Sequence, residues 1–274
     1  MIRDITIGQY YPANSLLHRL DPRVKLVSTF FYLISLFVFK SILGYVVATI
    51  FLVSVIKLSK VPFSYIVKGL KAVIMLLLLT VLFNLFLTKE GTVLFAKGIF
   101  TVTEGGLRNA VYMAIRLIYL ILGSSIMTFT TTPNELTDGI ESLFKPLAKL
   151  HLPVHEMAMI MSIALRFIPI LLDETDRIMK AQLARGADFE NGNIMQKAKG
   201  MIPILVPLFV SAFRRASDLA MAMESRGYHG GEGRTKMKPL KYQKKDYFAY
   251  LIMAIYFLLI IILGRFVPFK LWIF

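Results

Sequence analysis

Two arginines in the C-terminal half of the chain stand in nearly the same short sequence. The first lies in KAQLARGADF and the second, about forty residues later, in AMESRGYHGG. A small residue precedes each arginine and a glycine follows it, in the triplets Ala184-Arg185-Gly186 and Ser225-Arg226-Gly227. An arginine presents a rigid fork of donors that matches carboxylates, and small neighbours let a partner's backbone approach closely. The two triplets therefore predict contacts with two acidic grooves, hence with a dimeric or pseudo-dimeric partner such as an ATPase dimer.

A simpler alternative is open for each triplet taken alone. Glycine is common just past the end of a helix, because it adopts the left-handed conformation without strain. An arginine in the last turn of a helix complements the helix dipole. In this interpretation both triplets are ordinary helix ends. Each triplet, together with the last turn of its helix, is called a tip below.

Patterns for catalysis and metal binding are not found in the sequence. It contains no GxxxxGK[ST] loop, so ATP hydrolysis is expected in a partner and not in this chain. It contains no cysteine, which excludes disulfides and thiolate metal sites. His151 and His155 are four positions apart, but Pro153 lies between them and the other histidines are distant. We therefore predict no metal site, no cofactor and no catalytic residue.

A short acidic stretch, formed by Asp173, Glu174 and Asp176, is the nearest approach to a carboxylate cluster. It lies on a charged segment with helical periodicity, close to Arg177 and Lys180. Carboxylates in that setting are usually solvated or paired with basic neighbours three or four positions away. We expect the same here, in preference to general acid or base chemistry.

The chain as a whole has the composition of a membrane protein. It is 56% hydrophobic, with a mean hydropathy of +0.64. Its formal net charge is +15, which by itself could indicate nucleic-acid binding. In a chain this apolar, positive charge on cytoplasmic loops is the commoner cause. We predict a bilayer protein with no nucleic-acid partner.

Five apolar runs predict five membrane spans. They occupy residues 26–39, 42–56, 70–87, 107–130 and 247–263. Asp21 and Pro22 predict the start of the first helix, and Lys40-Ser41 predicts a hairpin after it. With the N-terminus inside, the cytoplasmic side receives Arg3, Arg19, Arg23, Lys25, Lys57, Lys60, Lys68 and Lys71. The outer side then carries Lys40, Lys89, Lys97, Arg108 and Lys270, and the C-terminus is also outside.

The region between the last two runs predicts three amphipathic helices. The first begins at Thr132-Pro133, where Glu135 completes a capping box. The second runs over about 155–185 with a kink at Pro169, and the third over about 194–226 with kinks at Pro203 and Pro207. Each long helix passes from an apolar half to a charged half, so both are expected to run from the membrane side into the cytoplasm. The predicted domains are 1–130 with four spans, 131–243 as a cytoplasmic coupling domain, and 244–274 with the fifth span.

Methionines are frequent in the second of these helices. Met157, Met159 and Met161 stand on its apolar half. Flexible methionines commonly fill gaps in a helical core, and they also form adaptable surfaces that accept different partners. Both interpretations are open from the sequence.

The sequence resembles the transmembrane T component of energy-coupling factor (ECF) transporters, which is related to the membrane subunits of cobalt and nickel uptake systems. The resemblance covers most of residues 15–228, in SLLHRLDPRVKL, TPNEL, LHLPVHEMAMIMSIALRFIPILLDETDRIMKAQLARG and AMESRGY. It implies two coupling helices whose tips dock into grooves on two ATP-binding ATPase subunits, with Ser225 where alanine is common. It also implies a small membrane partner, the S component, which captures a vitamin or metal ion and is often interchangeable.

The fold expected is therefore an all-α membrane protein, with about five transmembrane helices and a cytoplasmic coupling domain of three helices, two of them long and kinked. Two other functions were considered. A stand-alone secondary transporter would usually show inverted repeats and broken spans, and an intramembrane enzyme would show paired carboxylates or a nucleophile motif. Neither pattern is found in the sequence, and nothing in it names the transported substrate.

Overall fold

A computed structural model describes residues 10–39, 41–71, 73–88, 91–97, 100–187, 193–231, 237 and 239–266. The chain divides into two compact units. The bundle unit combines the stretch that ends at Gly139 with the stretch that begins at Leu240. The tip unit contains Ile140–Pro239 and so both arginine triplets. Arg3, Lys40, Lys89 and Lys270, which entered the prediction of orientation, lie outside the described residues.

The bundle unit consists mainly of helices. They are α1 (Pro22–Val38), α2 (Ile42–Ser59), α3 (Phe63–Lys71), α4 (Ile74–Leu87), α5 (Glu104–Thr130) and α9 (Lys244–Phe266). The predicted start of α1 is confirmed, because Pro22 is its first residue and the Asp21 carboxylate accepts the N–H of Arg23 at 2.9 Å. The separation of α1 from α2 is also confirmed. Ser41 caps α2 by accepting the N–H of Gly44 at 3.3 Å.

Two features of this unit differ from the prediction. The run 70–87 was expected to be one span, but α3 ends at Lys71 and α4 begins at Ile74. No side chain caps the start of α4, so no local signal marked the break within a continuous apolar run. The second difference is an antiparallel pair of short strands, β1 (Val93–Lys97) and β2 (Phe100–Thr103). Their residues are mainly β-branched, aromatic and apolar, and the search for long apolar runs overlooked them.

Helices α1, α2, α5 and α9 pack around the main buried core of the bundle unit. Its largest members include Tyr32, Leu36, Phe39, Leu52, Phe129, Met253, Tyr256 and Ile260. Gly123 on α5 permits a close approach to α1, because a Cβ at this position would lie 2.3 Å from the Tyr32 ring. Arg116, in the middle of α5, also faces α1, where its guanidinium lies 5.5 Å from the centroid of the Phe37 ring.

A polar cluster ties together the ends of three helices in this unit. The Asp246 carboxylate, near the start of α9, accepts the backbone N–H of Asp21 at 2.9 Å and that of Gln243 at 2.7 Å. The Lys25 amine donates to the carbonyl of Thr130, the last residue of α5, at 2.7 Å. The segment around the predicted Asp21 cap therefore also joins α1 to α5 and α9. Asp21, Lys25, Thr130, Gln243 and Asp246 are together called the end cluster below.

The tip unit is formed by the remaining helices. α6 (Pro133–Phe144) contains the boundary between the units and is followed by a 3-10 turn (Lys145–Leu150), α7 (Val154–Ala184) and α8 (Ile194–Glu224). The predicted capping box is confirmed: Thr132 accepts the N–H of Glu135 at 3.3 Å, and Glu135 accepts that of Thr132 at 3.2 Å. The three internal prolines are accommodated without ending either long helix. Kinks at these prolines stay a prediction.

Within the described part of the chain, five helices are long and apolar enough to cross a membrane: α2, α5, α7, α8 and α9. The bent pair of α3 and α4 would make a sixth. An all-α membrane protein with about five candidate spans is thus confirmed, but the set of helices differs from the predicted one. α1, with 17 residues, is shorter than these five helices, and α7 and α8 were not predicted as spans.

Candidate functional site

The first tip ends α7 with a complete hydrogen-bonded cap. Gly186 has a φ of +88°, and its N–H donates to the carbonyl of Leu183 at 3.0 Å. The N–H of Ala187 reaches back to the carbonyl of Gln182 at 3.0 Å. This is a Schellman motif, in which the glycine takes the left-handed position and Arg185 is the preceding cap residue.

The second tip repeats the same geometry at the end of α8. Gly227 has a φ of +70°, and its N–H donates to the carbonyl of Glu224 at 2.9 Å. The N–H of Tyr228 reaches back to the carbonyl of Met223 at 3.1 Å. The prediction that both glycines end helices is confirmed, and both caps are made by backbone groups alone. The side chains of the two arginines are left for another role.

Both arginines are exposed at the tips. Neither Arg185 nor Arg226 makes an ion pair or hydrogen bond with another described residue. A Cβ placed on Gly186 or Gly227 would meet nothing within 4 Å, so the space beside each arginine is open. Ala184 and Ser225 are exposed as well. The tips therefore present unpaired guanidinium groups with room for a second protein.

Each tip also carries an exposed apolar side chain that sequence reasoning missed. Leu183 is 51% exposed in the last turn of α7, and Met221 is 61% exposed in the last turn of α8. An apolar side chain beside an arginine suits a groove with an acidic end and an apolar wall. The signal was available in the sequence, since both residues stand within five positions of their arginine.

The directions of α7 and α8 overturn one prediction. Gln182 of α7 donates to the carbonyl of Pro203 at 3.3 Å, and the Ser211 hydroxyl donates to Glu174 at 2.6 Å. From the first contact to the second, the position on α7 falls from 182 to 174 while the position on α8 rises from 203 to 211. The two helices are therefore antiparallel. The prediction that both run from the membrane side into the cytoplasm was wrong.

The antiparallel register places the tips at opposite ends of the helix pair. At a rise of 1.5 Å per residue, Arg185 and Arg226 are about 40 Å apart along the helix axes. The two arginines therefore cannot enter one groove together. They lie at opposite ends of the helix pair.

The three methionines for which the sequence left a core and a surface role open lie on α7. Met157 and Met161 are 63% and 54% exposed, and Met159 is partly exposed. Within the described residues they do not fill a core. A longer exposed apolar stripe on α8, missed from the sequence despite its helical spacing, contains Met201, Ile202, Leu205, Val206, Phe209, Val210 and Phe213.

The predicted absence of a metal site is not contradicted. Among the described residues no group of three or more His, Asp or Glu side chains could hold a metal ion. The Nδ1 of His155 lies 3.0 Å from a carboxylate oxygen of Glu141.

Residues 13–237, which include both tips and both long helices, match the sequence model of the CbiQ family, described as cobalt transport protein. The chain belongs to this family. The predicted resemblance to T components is thus confirmed.

Named relatives extend the match over nearly the whole chain. A Clostridium kluyveri protein named energy-coupling factor transporter transmembrane protein EcfT is 54% identical over 266 residues, or 97% of this chain and 98% of its own. EcfT of Bacillus subtilis is 50% identical over 90% of this chain and 93% of its own. EcfT of Acidaminococcus fermentans is 51% identical over 98% of this chain and 100% of its own. The chain is therefore a multi-pass transmembrane component of an ECF transporter and not its catalytic subunit.

Proposed function

We propose that the chain couples two ATP-binding ATPase subunits to a substrate-binding S component, in an ECF-type ABC importer for a vitamin or metal ion. The main support is the pair of exposed arginines, each on a Schellman-capped helix end and without a partner among the described residues. ATP hydrolysis belongs to the partner subunits. Their movement reaches the S component through α7 and α8.

The antiparallel helix pair suits a dimeric ATPase. A homodimer or pseudo-symmetric heterodimer presents two equivalent grooves related by an axis, and these grooves are separated in space. Two tips about 40 Å apart along the helix axes, pointing in opposite directions, can each occupy one of them. Two tips at the same end of a parallel helix pair would lie too close together to enter two separated grooves.

Single charge reversals test the docking of each tip. Arg185→Glu or Arg226→Glu should weaken one contact, since removing a partner from a desolvated charge pair costs about 2–5 kcal/mol. The second tip stays docked, so we expect the ATPases to co-purify while substrate uptake falls. The measurement is pull-down and uptake for each variant. Arg214→Glu is the matched control, because Arg214 is exposed on α8 but distant from its tip. Equal uptake by the control and the tip variants would contradict the assignment.

The exposed methionines support a second proposal, that α7 and the apolar stripe of α8 receive interchangeable S components. Replacing Met157, Met159 and Met161 with leucine keeps the volume and removes side-chain flexibility. We expect uptake of some substrates to fall more than uptake of others. The check is transport of several substrates in cells that express different S components. A uniform effect on all substrates, or none, would favour a packing role.

The orientation of the chain completes the proposal: N-terminus and tips in the cytoplasm, C-terminus outside. Because the chain has no cysteine, single cysteines can be introduced at Lys89, Arg185 and Arg226 for labelling. An impermeant reagent added outside should modify position 89 and neither tip. If α7 and α8 crossed the membrane instead, their antiparallel directions would place the tips on opposite sides, and one tip would be labelled. That result would overturn the cytoplasmic placement of α7 and α8.

A further inference from the structure

One carboxylate joins the two long helices of the tip unit. Glu174 of α7 accepts the Ser211 hydroxyl with its Oε1 at 2.6 Å and the Arg215 guanidinium with its Oε2 at 2.7 Å. Both oxygens of this side chain are therefore bonded to α8. Ser211 and Arg215 are four positions apart, so they lie on the same face of α8, one turn from each other. The three residues are called the junction below.

Apolar packing does little to hold α7 against α8. No described side chain of α7 is buried, and on α8 only Ile204, 8% exposed, is buried among the described side chains. In a helix pair held by packing, interdigitated apolar side chains oppose sliding. That resistance is weak here, which leaves polar contacts to determine the register.

Hollows lie on both sides of the junction. One, of about 260 Å³, is lined by apolar residues of the two helices, including Phe167, Leu171 and Leu219. The other, of about 500 Å³, is lined by Asp173 and Arg177 together with residues of the junction. Both hollows are open to the surface, so neither adds a filled apolar interface that would oppose a shift of one helix along the other. Two polar links between the helices are seen among the described residues, the junction and the Gln182–Pro203 contact, and the ion pair is the stronger of them.

We propose that Glu174, Ser211 and Arg215 are positioning residues that set the distance between the two tips. A slide of α8 by one helical turn would change that distance by about 5 Å and would break the paired contacts of Glu174. Two tips that enter two grooves of one ATPase dimer at the same time need a defined separation. The need for a defined separation rests on the proposed docking of the tips. The effect of the junction on the distance between the tips does not depend on that docking.

Distance measurement between spin labels tests the proposal in the full-length chain. Cysteines replace Lys180 and Met221, which are exposed and stand five positions before Arg185 and Arg226. In nanodiscs without partner subunits, the labels should give one narrow distance distribution at about 25–35 Å, from the helical rise and the usual spacing of packed helices. Glu174→Arg and Arg215→Glu should each broaden the distribution or shift it by about 5 Å. Glu174→Arg with Arg215→Glu should restore it, because the ion pair is rebuilt with its charges exchanged.

Arg214→Glu is the matched control, since it alters the adjacent exposed arginine by the same charge and should leave the distances unchanged. Distributions that stay narrow and unshifted in both single variants would overturn the proposal. So would a double variant that remains as broad as the single ones. If either reversal prevents folding, as judged by helical circular dichroism and monodispersity, Glu174→Gln and Ser211→Ala replace them. These milder changes should broaden the distribution, and an unchanged distribution again overturns the proposal.

Uptake and ATPase pull-down in the same variants separate this inference from the function on which it rests. We expect the single junction variants to retain the ATPases through at least one tip and to lose about tenfold in uptake, because a changed distance weakens the coupling between the two tips. If the distances change but variants of both tips still bind the ATPases, the docking function fails and the junction stands. If the distances do not change, the junction fails whatever the tips bind.

Discussion

Arg185→Glu combined with Arg226→Glu is expected to release the ATPase subunits from the chain. Truncating an arginine that enters a shielded acidic groove costs about 2–5 kcal/mol of binding free energy. Reversing its charge adds repulsion between like charges. Two tips on one dimer also support each other, because the second contact forms at high effective concentration. Loss of both tips removes this advantage, so the fall in affinity exceeds that of either single variant. Pull-down in detergent should recover little or no ATPase, and uptake should be abolished.

The matched control carries the same change of charge on the same helices. Lys180→Glu with Arg214→Glu alters two exposed basic residues that lie outside the two triplets. This variant should retain the ATPases, although a general loss of positive charge would slow association slightly. Normal ATPase binding and transport by the double tip variant would show that the tips are not the docking sites.

The helix-end alternative predicts a different outcome for the same variants. Because backbone groups alone make both Schellman caps, an arginine contributes only through the helix dipole, about 0.3–1 kcal/mol. The loss would appear in the stability of this chain and not in ATPase binding. Gly186→Ala tests the cap separately, since its φ of +88° is costly for alanine while the arginine remains in place.

Asp246→Ala should produce the largest loss of stability in the bundle unit. The Asp246 side chain is buried and accepts two backbone N–H groups, one of them from Asp21. Truncation leaves both donors without their acceptor, at about 3–5 kcal/mol in total. The midpoint of thermal unfolding in detergent should fall by about 10 °C. Removing both partners of a buried polar pair is often harmless. Here the two partners are backbone N–H groups, which remain in place when the Asp246 side chain is removed.

Two comparisons make this result specific. Asp246→Asn keeps one oxygen as an acceptor, so its loss of stability should be intermediate. Asp218→Ala removes an exposed carboxylate on α8 and should change the stability by no more than about 0.5 kcal/mol. If Asp246→Ala unfolded at the temperature of the unaltered chain, the end cluster would not be a structural tie between α1 and α9.

Features that depend on neighbouring residues were predictable from the sequence. The Asp21 cap, the Thr132–Glu135 capping box and the two helix-ending glycines all involve hydrogen bonds that span no more than five positions. Such bonds form from the same residues in almost any surroundings, so their sequence signals are reliable. The apolar runs likewise predict a membrane protein, because composition alone decides how a segment partitions between water and lipid.

The break between α3 and α4 and the β1–β2 hairpin show where such signals end. Hydropathy records how apolar a run is but not where its backbone changes direction, and no capping residue marks Ile74. β1 and β2 pair in antiparallel fashion, and the residue types of the two strands alone do not distinguish them from part of an apolar loop.

By itself, the sequence determined the helical membrane character, the local caps, the family and the residues that form the two tips. Only the tertiary structure decided that α7 and α8 run antiparallel, that their tips face opposite directions and that Glu174 bonds Ser211 and Arg215. The same holds for Asp246, whose partner Asp21 is 225 positions away. Periodicity reports which face of a helix is apolar, whereas the direction of packing and the partner of a charge depend on residues that are distant in the chain.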